Sequence, residues 1–107
     1  NVGRSVGAPF TELPDGRIAN RLRFRVRNQE AVPVTFEIET AAPAGAETRV
    51  VGTTPIALEP GEMTRVEAWI VVPRTALGGG SSDALFRLRF SDGTVEEVPF
   101  TLLGPSQ

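Results

Sequence analysis

Hydrophobic and polar positions alternate with a period of two through most of this chain. The clearest stretch runs from Ile18 to Asn28, where Leu22, Phe24 and Val26 point one way and Arg21, Arg23, Arg25 and Arg27 the other. In an extended strand this gives one apolar and one cationic face; on a helix the same residues would scatter around the axis. The pattern returns over Val32–Glu39, with Val34, Phe36 and Ile38 inward and Thr35, Glu37 and Glu39 outward. Further runs cover Thr64–Val72, Ala84–Phe90 and Val95–Leu103. A weaker strand is expected at Glu47–Val51, and an edge strand around Val6–Glu12.

Turn-forming residues separate these runs. Pro14-Asp15-Gly16, Asn28-Gln29-Glu30, Pro60-Gly61 and Ser91-Asp92-Gly93-Thr94 read as turns, and the last as a hairpin. Gly78-Gly79-Gly80-Ser81-Ser82 reads as a flexible loop, and Gly104-Pro105-Ser106-Gln107 as the closing tail. No apolar run of helical period reaches a helix's usual length. About seven short strands at this spacing predict an all-β, antiparallel sandwich of the immunoglobulin or fibronectin-III type. If the Ile18 and Val32 strands pair as neighbours, the arginine and glutamate rows share one outer face and form cross-strand ion pairs.

Length and composition narrow the picture. The chain's 107 residues are one domain, with its core expected over about residues 4–105. Hydrophobic residues make up 40 % and the net charge is −2. These values favour a folded core and give no sign of nucleic-acid binding. Every basic residue is Arg, which is read mainly as a bias of the source genome. No segment reaches the roughly 20 apolar residues needed to span a membrane. The chain opens at Asn1 and its single Met, Met63, is internal. It therefore reads as a piece of a longer protein, with any anchor lying outside it.

The chemistry-bearing residues are few. Cys, His, Lys and Tyr are all absent. That removes thiolate ligands, the commonest metal ligand and the usual activators of a Ser nucleophile. Glu96 and Glu97 are adjacent, so on a strand they point to opposite faces and cannot serve one site together. Asp15 and Asp92 sit in Asp-Gly turns, where Asp is favoured for local hydrogen bonding. Gly78-Gly79-Gly80 lacks the following helix and Lys of a phosphate loop. No catalytic, cofactor-binding or metal-binding residue is assigned, and the segment is expected not to be an enzyme.

Two surface features remain. The row Arg21, Arg23, Arg25 and Arg27 reads either as a solvated face balanced by Glu37, Glu39 and Glu67, or as a site for an anionic partner; the first reading is preferred. Trp69 shares the parity of Arg65 and Glu67, which places it on the outer face. It reads equally as a partner anchor or as a cover for an arginine stem.

The order of short motifs resembles a known family. Phe10-x-x-Leu13-x-Asp15-Gly16-x-Ile18-x-Asn20, running into a strand that closes on Asn28, is similar to the C-terminal domain of the FixG family, accessory proteins of cytochrome cbb3 oxidase. Leu58-Glu59-Pro60-Gly61-Glu62 followed by a strand to Val72-Pro73-Arg74 agrees with it, as does Phe100 to Gly104-Pro105. The match covers about Arg4 to Pro105. The opening Arg4–Phe10 is looser than the family form, and Leu22 stands near a position where many members carry an aromatic. Asp15, Gly16, Asn20 and Asn28 match the signature, and their residue types suit turn and strand-end hydrogen bonding.

The resemblance implies an Ig-like domain on the periplasmic side of the bacterial inner membrane, joined to membrane helices elsewhere in the protein. It further implies [4Fe–4S] clusters in those other parts, and none in this segment. The implied role is docking to oxidase subunits or assembly factors during oxidase maturation and copper handling. The alternative is a generic Ig-like binding module of another bacterial cell-envelope protein.

Overall fold

The computed structural model describes residues 1–5 and 7–105. Val6, Ser106 and Gln107 lie outside the described residues, so part of the expected edge strand and of the tail does too. Among the described residues nine strands and one short helix follow in chain order: β1 Val2–Arg4, β2 Thr11–Glu12, β3 Ile18–Arg27, β4 Val34–Ala42, β5 Glu47–Val50, β6 Ile56–Leu58, β7 Met63–Val72, a 3₁₀ turn at Arg74–Leu77, β8 Ser81–Phe90 and β9 Val95–Leu103. They form two antiparallel sheets. The first has the order β1-β3-β7-β5, with β2 pairing the start of β3; the second has the order β6-β4-β8-β9. This is the expected Ig-like sandwich, with more strands than the seven anticipated. The N-terminal edge is two short pieces rather than one strand. The three residues of β6 sit between prolines and are too few to display an alternation.

Alternation puts one side of every long strand in the core. Leu22, Phe24 and Val26 of β3, with Val66, Ala68 and Ile70 of β7, meet Phe36, Phe86 and Leu88 of the second sheet. Phe24 and Phe86 pack edge to face across the sheets, their ring centroids 5.2 Å apart. That geometry sets a positive ring edge against a negative ring face.

The arginine and glutamate strands, whose pairing would have put both rows on one face, are not neighbours. β3 pairs with β7 in register, Arg21 opposite Trp69, Arg23 opposite Glu67 and Arg25 opposite Arg65. β4 pairs with β8 in the other sheet. The reason lies in the connection. Asn28 is buried, and its amide nitrogen donates to the carbonyls of Val32 and Leu58, at 2.8 and 3.2 Å. Its side-chain oxygen accepts the Glu30 amide at 2.9 Å. A side chain held on three backbone groups carries the chain across to the second sheet instead of turning it back as a hairpin.

The glycine-rich loop is also shorter than expected, because Ser81 and Ser82 already belong to β8 and pair with Leu103 and Leu102. Leu77 is buried just before it, and the chain end passes over it: a Cβ on Gly104 would sit 2.7 Å from a Leu77 methyl carbon. Only a glycine lets the closing segment pass this close.

Candidate functional site

The outer face of the first sheet gathers most of the residues singled out above. Register places Arg21, Arg23, Arg25 and Arg27 of β3 beside Trp69, Glu67, Arg65 and Met63 of β7. Arg49 of β5 flanks Trp69 on its other side. Trp69 is half-buried, and the Arg21 guanidinium carbon lies 5.6 Å from its ring centroid. A cation over an indole face is attracted by the ring quadrupole, and the stacking also fixes the ring.

Glu67 organises one half of this face. It pairs with Arg21, lies 3.7 Å from Arg23, and accepts the Ser5 hydroxyl at 3.0 Å. The hydrogen bond from Arg21, helped by that from Ser5, holds its carboxyl below the ordinary value. The Ser5–Glu67 contact is the nearest approach to a nucleophile and base. A carboxylate stabilised as the anion by two arginines is a poor proton acceptor, so the pair lacks the activation that a nucleophilic hydroxyl needs.

The other half of the face has no acid. Arg25 and Arg65 stand directly opposite each other, both exposed. Among the described residues neither has a carboxylate within ion-pair distance, and Arg27 reaches only the Gly61 carbonyl, at 3.3 Å. Of the glutamates expected to balance this row, Glu67 does so for Arg21 and Arg23, whereas Glu37 and Glu39 lie on the second sheet. There Glu39 takes Arg89 at 2.8 Å and Arg87 at 4.0 Å, and Glu97 takes Arg87 at 3.0 Å. Beside the arginine strip a cleft of about 350 Å³ opens between the sheets. Val26, Val34, Leu88 and Phe90 line it together with Arg25 and Arg27 and the acids Glu30, Asp92 and Glu96.

The signature residues lie apart from this face. The Asp15 carboxyl accepts the Arg17 amide at 3.0 Å and its guanidinium at 2.8 Å, bonds that lower its pKa. Gly16 takes a φ of +88° as the left-handed residue that follows a type I turn. The Asp92-Gly93 hairpin repeats the design, with the Thr94 amide bonded to Asp92 at 2.8 Å. Asn20 does something that spacing alone does not reveal. It is fully buried, donates to the Leu103 carbonyl and accepts the Leu103 amide, both at 2.9 Å. Arg4 reaches its side-chain oxygen at 3.3 Å, bonds the Thr101 carbonyl and lies over the Phe100 ring. Asn20 and Arg4 thus join the first sheet to the last strand of the second. Asn20 serves the backbone of a strand in the opposite sheet, not a loop at its own strand's end. Among the described residues no three of His, Cys, Asp or Glu cluster to hold a metal ion.

Two closely packed antiparallel sheets with this strand order define an immunoglobulin-like domain. The crystal structure of a FixG-related protein from Vibrio parahaemolyticus superposes with a TM-score of 0.77 at 17 % identity, covering 96 % of this chain and 92 % of that one. The yeast structure described as GGA1_GAE domain-P21 gives 0.50 at 13 % identity, over 98 % and 88 % of the two chains. At such identities both likenesses concern the fold. No curated protein matches the chain. A family model described as "IG-like fold at C-terminal of FixG, putative oxidoreductase" matches residues 1–105. The chain belongs to the family of FixG C-terminal Ig-like domains.

Proposed function

We propose that this domain is a non-catalytic docking module of a FixG-type protein and presents the outer face of its first sheet to protein partners. The observation that carries this reading is Trp69, a large aromatic held half-exposed under Arg21 on an arginine-rich sheet. Aromatic and arginine side chains are the usual anchors of protein interfaces. The chain offers no His, Cys or Lys for chemistry of its own. Redox work in such a protein then belongs to iron–sulfur clusters held elsewhere, and this domain positions that machinery against subunits or assembly factors of a cbb3-type oxidase. A periplasmic setting, at a site of copper handling, fits the family resemblance.

The test is Trp69→Ala in the full-length protein. Crosslinking to oxidase-assembly components is expected to weaken strongly while the melting temperature moves little. Unchanged crosslinking with a large fall in melting temperature would make Trp69 a packing residue and remove the docking role.

A further inference from the structure

The pairing of Arg25 with Arg65 is a local cost. Like charges directly opposite on neighbouring strands repel and destabilise the pair. Sequence offers an easy relief, since an acid at either position would complete the pattern that Glu67 sets two residues away. Instead Arg25, Arg65 and Arg27 form a strip with no acid in ion-pair range among the described residues, while the arginines of the opposite sheet are matched.

The strip also has a shape. Successive outward arginines of β3 repeat at roughly 7 Å, the spacing of alternate side chains in any extended segment. Arg25 and Arg27 also line the adjoining cleft, where Glu30, Asp92 and Glu96 stand with them, so the part of the strip open to an acidic partner is its outward face along Arg25 and Arg65. The strip is two strands wide and ends at Glu67, which suits a single chain segment better than a bilayer.

We infer that the Arg25–Arg65 strip binds an extended acidic segment of a partner protein, its carboxylates on the guanidinium groups. This rests on the docking role proposed above and supplies its chemistry. The guanidinium groups accept carboxylates as two-pronged ligands, and the unmatched charge draws the segment in from solution. Binding relieves the repulsion that the free domain carries.

The experiment uses the 107-residue chain, an extended probe peptide of alternating Glu and Leu, and the variant Arg65→Glu. The chain has its own continuous core and satisfied buried side chains among the described residues, so it is suited to measurement alone. Arg65→Glu is expected to raise the melting temperature, by pairing Glu with Arg25, and to weaken peptide binding by about tenfold or more. Wild-type binding is expected to fall as salt is raised. A lowered or unchanged melting temperature together with unchanged binding would overturn the inference. So would wild-type binding to phosphatidylglycerol vesicles without binding to the peptide, which would assign the strip to a lipid surface. Arg65→Lys keeps the charge and should keep most of the binding; its complete loss would contradict the charge chemistry. Crosslinking of the full-length protein separates the two claims. If Trp69→Ala abolishes crosslinking while the wild-type chain ignores the peptide, docking stands and the acidic partner falls. If Arg65→Glu loses the peptide and Trp69→Ala leaves crosslinking unaltered, the acidic ligand stands and the docking role falls.

Discussion

The two outer faces of this sandwich are built from the same residue types and solve the charge problem differently. On the second sheet, arginine and glutamate alternate across strands: Glu37 opposite Arg89, and Glu39 opposite Arg87, which in turn faces Glu97. Each arginine there has an acid in reach. On the first sheet Glu67 serves Arg21 and Arg23, and beyond it Arg25 faces Arg65 with nothing between. A matched face holds itself together and offers little to a partner. An unmatched one gives up some stability and keeps its charge available. The difference teaches that an exposed ion row is informative only once the strand beside it is known.

The largest effect is expected at the joint that holds the two faces in one body. Asn20→Ala removes two hydrogen bonds to Leu103 and leaves backbone groups of β9 without partners. It should lower stability by about 2–4 kcal/mol in a denaturant melt. A change near zero would mean that β9 is held by its pairing with β8 alone.

Opposite signs are expected from equivalent charge reversals on the two faces. Arg65→Glu should raise the melting temperature by a few degrees, and Arg89→Glu, which faces Glu37 and loses Glu39, should lower it by a similar amount. Two shifts of the same sign would erase the contrast between the faces.

The smallest effect concerns acid. The carboxyls of Glu67 and Glu47 lie below their ordinary value of 4.5, mainly through hydrogen bonds from Arg21 and Arg49 respectively. A carboxyl depressed in the folded state binds fewer protons there than when unfolded. Its stabilisation is therefore complete above about 4.5 and fades as pH falls through the lower folded value. Glu47 is exposed and Glu67 half-buried at the surface, so the loss should be modest. Replacing Glu67 with Gln should remove its share of this slope in melts between about pH 5 and pH 2.5. A slope unaltered by that change would place the acid sensitivity elsewhere.

Much of the fold was legible from periodicity because each long strand has one dry face. Leu22, Phe24 and Val26 announce their side of β3 whatever lies next to it. Neighbour relations were not legible in the same way. Whether β3 pairs with β4 was left open by the pattern, and Asn28 decides against it by binding the backbone of the crossing segment. With that pairing went the supposed balance of the arginine row by Glu37 and Glu39. Arg65 shares the parity of Trp69, yet nothing in the sequence says that it faces Arg25, because register between distant strands depends on the whole sheet. Asn20 carries a family signature whose purpose appears only when β9 is in place beside it.

The account's central claim is that the first sheet's outer face, and not the second's, meets the partner. Met63, 40 % exposed, and Val95, 47 % exposed, lie on these two faces at comparable accessibility. A photo-crosslinking amino acid placed at each position in turn, in the full-length protein under native conditions, reads the question directly. Crosslinks to a partner from position 63 and none from position 95 are expected. Crosslinks from position 95 alone, or equally from both, would contradict the account.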